Sequence, residues 1–240
     1  MRSFRLFIPA VLLFFMSPSG ASSEVIVHDL IAAQGKKITL RIETRGKFFS
    51  KGGEVVMVSV NGKPEGKVLS GGDGFAFKQF IPPKTGIYRI VAKSGAEEGF
   101  GLLISLKKGT GIVFVDGEES LLEGPFSRKP RSGSRDGIRE INRRFPVVFL
   151  SSGMVGTKVL KAWLKKNGFP ELPVVPWDEG KIFEDIHDRG LAIKAIIGGP
   201  DIIASASEYR PRAFSFTEAE GAQEVKDWEE IRKILRSNGF

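Results

Sequence analysis

The chain contains no cysteine among its 240 residues, and this absence excludes several kinds of chemistry. Without a thiol there is no disulfide, no thiolate nucleophile, no cysteine-ligated zinc or iron–sulfur centre and no lipid-modified amino-terminal cysteine. Histidine is also scarce: His28 and His187 are the only two and lie far apart in the sequence, so no pair at metal-binding spacing exists. Neither a thiol nor a pair of histidines is therefore present to hold a metal, and a Ser-His-Asp arrangement would have to use His187.

Several well-known functional motifs are missing as well. The sequence has no Gly-x-Ser-x-Gly elbow, no phosphate-binding P-loop and no dinucleotide-binding fingerprint. It also has no nucleic-acid recognition motif, so the formal net charge of +8 does not indicate a nucleic-acid partner. The excess charge is concentrated early, since residues 24–108 hold 14 Lys and Arg against 8 Asp and Glu, whereas residues 109–240 hold 20 of each. A solvated lysine-rich β surface accounts for this asymmetry; the alternative interpretation is that the first region is drawn to an anionic envelope surface.

Only one apolar stretch stands out, and it lies at the amino terminus. Residues 6–16 are almost entirely apolar, Arg2 and Arg5 precede them, and small residues follow at 17–21. This pattern is typical of a secretory signal peptide, and the stretch is shorter than the ~20 residues that a spanning helix needs. We therefore predict a signal peptide over 1–21 with cleavage near Ala21, export to the periplasm or the extracellular space, and no transmembrane span after cleavage. An uncleaved membrane anchor is the alternative.

Residues 24–106 alternate between apolar and polar positions with a period of two, broken by glycine turns. The predicted strands are 38–44, 54–60, 75–80, 86–92 and 101–106. Several short strands separated by Gly and Pro turns indicate an antiparallel β-sandwich. The phrase at 83–90, Pro-Lys-Thr-Gly-Ile-Tyr-Arg-Ile, resembles the late strand of bacterial immunoglobulin-like modules, and a linker follows at 107–111.

Beyond this linker, apolar strands alternate with helical periodicity. The predicted strands are 112–115, 146–150, 172–175, 192–197 and 213–216, and the predicted helices are 138–145, 157–167, 181–188, 202–208 and 222–237. Strict alternation of strand and helix predicts a parallel sheet with helices on both faces. The expected fold is thus a two-domain chain: an all-β immunoglobulin-like sandwich over 24–106 and an α/β domain over 110–240.

Acids and hydroxyls follow two of the apolar strands at the points where those strands end. The first run ends in Asp116 and is followed by Glu118 and Ser120, and the second runs into Ser151. The carboxyl ends of parallel strands meet at one edge of a sheet, where α/β proteins usually bind ligands. We therefore expect these side chains to lie together in a site for phosphate chemistry.

In these motifs the second domain resembles the haloacid-dehalogenase-type (HAD) phosphohydrolases, and more narrowly their lipin-like and phosphatidate-phosphatase-like branch, over residues 110–220. The resemblance implies a HAD-like, Rossmann-type fold and Mg²⁺-dependent hydrolysis of a phosphomonoester, with Asp116 as nucleophile and Glu118 as acid and base. The implied substrate is a phosphate-bearing small molecule or lipid. The sequence departs from the family pattern at Glu118 and Gly199, where the family has aspartates.

The resemblance also implies a set of binding residues. Ser120, Ser151 and Lys181 would hold the phosphoryl group, with Lys194 as the alternative lysine, and the Mg²⁺ ligands would be Asp116, Glu118 and Asp201. Structural roles remain open for the same residues: Asp116 as the cap of a turn, Ser151 and Asp201 as helix N-caps, and Lys181 as a solvated side chain. Two other functions also remain open. One is a catalytically degenerate domain that binds a ligand or partner in the envelope, and the other is a structural envelope protein whose β domain carries the function.

Overall fold

The computed structural model describes residues 23–47, 49–124 and 127–237. The predicted signal peptide lies outside these residues. The strands are β1 (Glu24–Val27), β2 (Leu30–Ala33), β3 (Ile38–Arg45), β4 (Val55–Val60), β5 (Lys63–Leu69), β6 (Phe75–Phe80), β7 (Gly86–Ser94), β8 (Glu97–Leu106), β9 (Gly111–Asp116), β10 (Val147–Ser151), β11 (Val174–Pro176), β12 (Ala192–Ile197), β13 (Arg212–Ser215) and β14 (Gln223–Glu224). The α-helices are α1 (Ser134–Asn142), α2 (Gly156–Lys166), α3 (Lys181–Asp188), α4 (Pro200–Ser205) and α5 (Trp228–Ser237), and short 3₁₀ turns lie at Asp178–Gly180 and Ser207–Tyr209.

The first eight strands form a β-sandwich. One sheet has the order β1-β3-β6 and the other has the order β2-β8-β7-β4-β5, and all pairings are antiparallel except that of β2 with β8. The chain therefore crosses from one sheet to the other between β1 and β2, at His28 and Asp29. The apolar residues of each strand face inward and include the fully buried Leu40, Val56 and Ile90, as the period-two pattern predicted.

A tyrosine fixes the turn that enters β7. The Tyr88 hydroxyl donates to the carbonyl of Lys84 at 2.8 Å and accepts from the N–H of the same residue at 3.0 Å. Such a tyrosine corner, near the start of the corresponding strand, is a hallmark of immunoglobulin-type sandwiches. It lies in the 83–90 phrase that the sequence analysis singled out.

The second domain is a parallel sheet with the order β11-β10-β9-β12-β13-β14, covered by helices on both faces. Helices α1, α2 and α5 pack on one face and α3 and α4 on the other. The chain enters at β9, runs outward to β11 and returns beside β9 at β12, so the strand order reverses between β9 and β12. Doubly wound sheets usually bind ligands at the carboxyl end of such a reversal.

One of the apolar clusters contains residues of both domains. Ile31 of β2 and Ile104 of β8 are buried among the residues of α3 and α4 that cover the parallel sheet. Asp29 reinforces this junction: its Oδ1 accepts from the N–H of Leu102 at 2.7 Å and from Lys161 Nζ at 2.6 Å, and its Oδ2 accepts from the N–H of Val174 at 2.7 Å. The described part of the chain contains no helix long and apolar enough to cross a membrane.

Helix α5 begins six residues later than the periodicity predicted. The side chain of Asp227 accepts from the N–H of Glu230 at 2.9 Å, and the Glu230 carboxylate accepts from the N–H of Lys226 at 2.9 Å. This reciprocal arrangement is close to a capping box and fixes the helix start at Trp228. The residues before it form β14 instead, which pairs with β13.

Candidate functional site

Asp116 and Ser151 end neighbouring strands, so the predicted acids and hydroxyls do meet at one edge of the sheet. Strands β9 and β10 are parallel, and Leu150 lies directly opposite Asp116 in the register. Strand β12 flanks β9 on the other side and ends beside the same edge at Ile197. The geometry of this edge then decides what the side chains can do.

The Asp116 carboxylate is enclosed by the protein and caps the turn that follows β9. Its side chain has no exposed surface; Oδ1 accepts from the N–H groups of Glu118 at 2.9 Å and Glu119 at 3.3 Å, whereas Oδ2 is buried without a hydrogen-bond partner. Burial raises the pKa of Asp116 to about 7; the two backbone hydrogen bonds oppose the rise, and the charges of Glu119 and Glu118 add to it. This carboxyl therefore lacks access to solvent.

The Glu118 carboxylate fills the turn between β10 and α2. Its Oε1 accepts from the Ser151 hydroxyl at 3.0 Å, and its Oε2 accepts from the Ser152 hydroxyl at 2.6 Å and from the N–H of Met154 at 3.0 Å. A longer contact joins Oε1 to the N–H of Val155 at 3.5 Å. Hydroxyl and amide donors that converge just before a helix form a favourable place for an anion, because the positive end of the helix dipole lies beside them. Here the protein supplies that anion itself, and only 4 % of Glu118 is exposed.

The crevice at the reversal of strand order is filled in the same way. The Ser120 hydroxyl donates to the carbonyl of Ile197 at 3.0 Å, which ties the loop after β9 to the end of β12. The Glu119 carboxylate packs against Gly199 so closely that a Cβ at this glycine would lie 2.1 Å from Oε2. Burial raises the pKa of Glu119, and the charges of Asp201 and Glu118 raise it further. Glu119 was not among the predicted site residues, although its place between Glu118 and Ser120, which were, was a usable signal.

The predicted magnesium ligands do not form a metal centre. Across the described residues, no three histidine, aspartate or glutamate side chains are grouped to hold a metal ion. Both oxygens of Glu118 accept from hydroxyls and amides, Asp116 is enclosed, and Asp201 is exposed on the first turn of α4. Since Mg²⁺ needs near-octahedral oxygen ligands, this arrangement does not fit the ion.

The two candidate lysines lie away from the strand ends. Lys181 is the first residue of α3 and lines a cleft between the domains, and in the described chain it makes no hydrogen bond or ion pair with Asp116 or Ser151. Lys194 lies in the first half of β12, where its side chain packs over Gly111 and its Nζ is 5.5 Å from the centre of the Phe145 ring. Gly111 begins the strand that Asp116 ends, so Lys194 is near the opposite edge of the sheet.

The fold therefore defines a two-domain protein, an all-β sandwich joined to a parallel α/β domain. No protein-family model matches the chain, and no curated protein matches it. Solved structures to which it is similar include an IG27 protein domain, with 12 % identity, coverage of 36 % of this chain and 99 % of that one, and a TM-score of 0.30. The D0–D1 domain of intimin is similar with 16 % identity, coverage of 36 % of this chain and 49 % of that one, and a TM-score of 0.30. Fibronectin(III)-like modules of Clostridium thermocellum CbhA are similar as well (8 % identity, 36 % and 48 % coverage, TM-score 0.27).

One prediction is wrong. The assignment of the second domain to the HAD-type phosphatases, and to their lipin-like branch, is supported by no family model, and the Asp116 carboxyl that it takes as nucleophile is enclosed by the protein. The resemblance rested on a few residues at strand ends, and a parallel α/β sheet with polar strand ends is common to many unrelated families. The two packed sheets and the tyrosine corner of the β domain agree with its immunoglobulin-like assignment.

Proposed function

We propose that this chain is a non-catalytic binding protein exported to the cell envelope. The observation that carries the proposal is the Glu118 carboxylate in the turn between β10 and α2. A phosphoryl group bound by Ser151 would have to displace that carboxylate from two hydroxyls and a backbone amide. Leaving those buried donors unpaired, or leaving the charge of Glu118 buried without partners, would each cost several kcal/mol.

The nucleophile required for phosphoryl transfer also has no route to a substrate. The Asp116 side chain is completely buried, and its accepting oxygen Oδ1 already serves two backbone amides. The acids around it would repel an approaching phosphate in the absence of a cation. These features favour a structural role for this edge of the sheet rather than a catalytic one.

The destination of the protein is proposed from its composition and from the amino-terminal pattern. The basic, apolar and small residues of 1–21 are typical of a signal peptide, and the absence of cysteine is compatible with an oxidising compartment. The surplus of six positive charges over residues 24–108 favours an anionic surface in the envelope.

Turnover of an aryl phosphate tests the non-catalytic assignment. The chain from residue 22 onward would be assayed with and without Mg²⁺, beside the Asp116→Asn variant and an Asp136→Asn control on exposed α1. We expect no hydrolysis above the uncatalysed rate in any sample. Mg²⁺-dependent hydrolysis that Asp116→Asn abolishes and Asp136→Asn preserves would overturn the proposal.

A further inference from the structure

A cleft of about 270 Å³ opens where the sandwich meets the α/β domain. Residues at the crossing from β1 to β2 and on β3 form one wall, and the end of β11 with α3 forms the other. Its size approaches the lower end of the range for small-molecule pockets. Neither domain has the cleft alone, because each supplies one side of it.

Two cations from different domains line this cleft, and neither is paired with one of the three acids that also line it, Asp29, Asp178 and Asp185. Arg41 belongs to β3 and Lys181 to α3, and neither makes an ion pair within the described chain. Arg41 instead lies over the ring of Phe75, with its guanidinium carbon 4.3 Å from the ring centre. Both side chains are exposed, so they can reach a ligand without breaking a buried contact.

The remaining charges of the cleft are mostly paired. Asp29 is bound by Lys161, and Arg189 lies 3.9 Å from Asp185 and donates to the carbonyl of Ile31 at 2.8 Å. Burial, followed by the charge of Arg41, lowers the pKa of His28, so this ring is neutral at pH 7. Asp178 is the one acid left without a partner against two cations, which favours an anionic ligand.

The turn at Asp178 has an unusual backbone conformation and packs against Ser205 of α4: a Cβ at Gly180 would lie 2.7 Å from Cβ of Ser205, and Trp177 Nε1 donates to Oγ of Ser205 at 3.0 Å. Asp178, Glu179 and Gly180 have consecutive positive φ angles of 50°, 51° and 92°. This conformation is unfavourable for residues with a side chain, and neither Asp178 nor Glu179 compensates for it by burying its side chain. Such strain clusters at ligand sites. Here it places Asp178 on the cleft and starts α3 at Lys181.

The walls between the charged groups are apolar. Leu30 and Ile31 contribute from β2, and Val175, Pro176 and Ile182 contribute from β11 and α3. We propose that the cleft binds a small organic anion whose carboxylate or phosphate lies between Arg41 and Lys181 and whose apolar body lies along these walls. This inference rests on the proposed binding function and adds to it the site and the ligand class.

Calorimetric titration with three probes tests the site. The probes are 4-phenylbutyrate, phenyl phosphate and the uncharged 4-phenylbutanol. We expect saturable binding of both anions and affinity for the alcohol at least about tenfold weaker, since a charged hydrogen bond is worth 1.5–3 kcal/mol and 1.4 kcal/mol is about tenfold. Arg41→Gln and Lys181→Gln should each weaken binding of the anions about tenfold. Lys67→Gln, which removes an exposed lysine on β5, should leave it unchanged.

Three results would overturn the inference. The first is no binding of either anion at concentrations up to about 10 mM, which is weaker than most ligand sites bind. The others are an affinity for the alcohol equal to that for the anions, and an affinity for the anions that is unchanged from wild type in both cleft variants. Failure here is distinguishable from failure of the non-catalytic assignment. 4-Phenylbutyrate has no phosphate to hydrolyse, so its binding reports the cleft alone, whereas turnover of phenyl phosphate reports the assignment. Unchanged thermal unfolding of the variants would confirm that they are folded.

Discussion

Asp29 shows how one buried carboxylate can hold two domains together. It accepts hydrogen bonds from Leu102 in the sandwich and from Val174 in the parallel sheet, and it pairs with Lys161 on α2. Burial raises the pKa of Asp29, and the pairing with Lys161 opposes that rise. The group is therefore satisfied by partners that folding brings from distant parts of the chain.

We predict that Asp29→Asn destabilises the protein by about 3–5 kcal/mol, the usual cost of breaking a buried pair on one side. The new amide would direct a donor at one of the N–H groups that Asp29 now accepts from, and Lys161 would lose its counter-ion. Urea unfolding at neutral pH measures the loss. Asp136→Asn is the control, since the Asp136 side chain is 71 % exposed and its one ion pair among the described residues is with Arg139. Equal unfolding free energies for the two variants would contradict the assigned role of Asp29.

The buried Asp116 should make the protein less stable as the pH rises. Its pKa is raised from 3.8 to about 7 in the folded state. Folding therefore favours the protonated form, and its contribution is full below about pH 4 and lost as the pH rises through about 7. Between about pH 5 and about pH 8 the wild-type protein should lose roughly 2–3 kcal/mol that Asp116→Asn retains, since one pKa unit is worth about 1.4 kcal/mol. Urea unfolding of both proteins at the two pH values checks this, and the same pH dependence in both would refute it.

At the scale of single residues, the sequence predicted positions better than roles. The neighbouring strand ends of Asp116 and Ser151 followed from the alternation of strands and helices. The interpretation of Glu118 as an acid and base could not anticipate its bond to Ser152, because that bond depends on how the turn before α2 folds back over β9. A carboxylate and a hydroxyl have the same spacing in the sequence whether they bind a ligand or each other.

Among the helices, the contact between α1 and α5 depends on a missing side chain. Gly137 lies within α1, and a Cβ there would be 2.6 Å from Cε3 of the Trp228 ring. Alanine is normally better than glycine in a helix by roughly 1 kcal/mol, but overpacking a core costs about 1–3 kcal/mol. Trp228 is fully buried, so it has no exposed position to move into.

We therefore predict that Gly137→Ala lowers the free energy of unfolding by up to about 2 kcal/mol, the difference between these two effects. The fluorescence of Trp228 should change with it. Asp136→Ala, one residue earlier on the exposed side of α1, should leave stability within about 0.5 kcal/mol. A more stable Gly137→Ala protein would show that helix propensity outweighs the packing.

The sequence predicted most accurately those elements whose apolar spacing and terminal glycines mark the same boundaries. Helix α3 spans 181–188 as predicted, with Phe183 and Ile186 buried and a glycine at each end. Helix α5 was predicted too long because residues 222–227 continue its apolar spacing, whereas the side-chain cap at Asp227 sets the start. The N–H of Val225 donates to the carbonyl of Ser215 at 2.8 Å, which ties the residues before this cap to β13.

For the whole molecule, the shared core implies that the two domains unfold together. All three tryptophans, Trp163, Trp177 and Trp228, lie in the α/β domain, so their fluorescence reports that domain alone. Leu40→Ala in the sandwich core should cost about 2–5 kcal/mol, and we predict that the tryptophan transition shifts by the same free energy. Leu69→Ala, at an exposed position on β5, is the control. A tryptophan transition that Leu40→Ala leaves in place would show that the domains unfold separately.

The interdomain cleft could not be predicted from the sequence. Its walls are formed by residues 28–41 and 175–189. The local sequence pattern of one segment does not indicate that it packs near the other. The sequence indicated two domains and a short linker, which implies contact, but the face of each domain that takes part depends on the apolar residues Ile31 and Ile104 being buried against α3 and α4.

The most direct test of the central claim is a phosphate titration followed by amide NMR at Met154 and Val155. Glu118 accepts from both of these N–H groups, so a phosphate bound by Ser151 would shift their resonances. With Glu118 in place, we predict no saturable shift from inorganic phosphate with or without Mg²⁺. A saturable shift at both amides would contradict the account, because it would mean that the turn accepts a phosphoryl group. If that shift required Mg²⁺, the acids of this edge would also hold the metal.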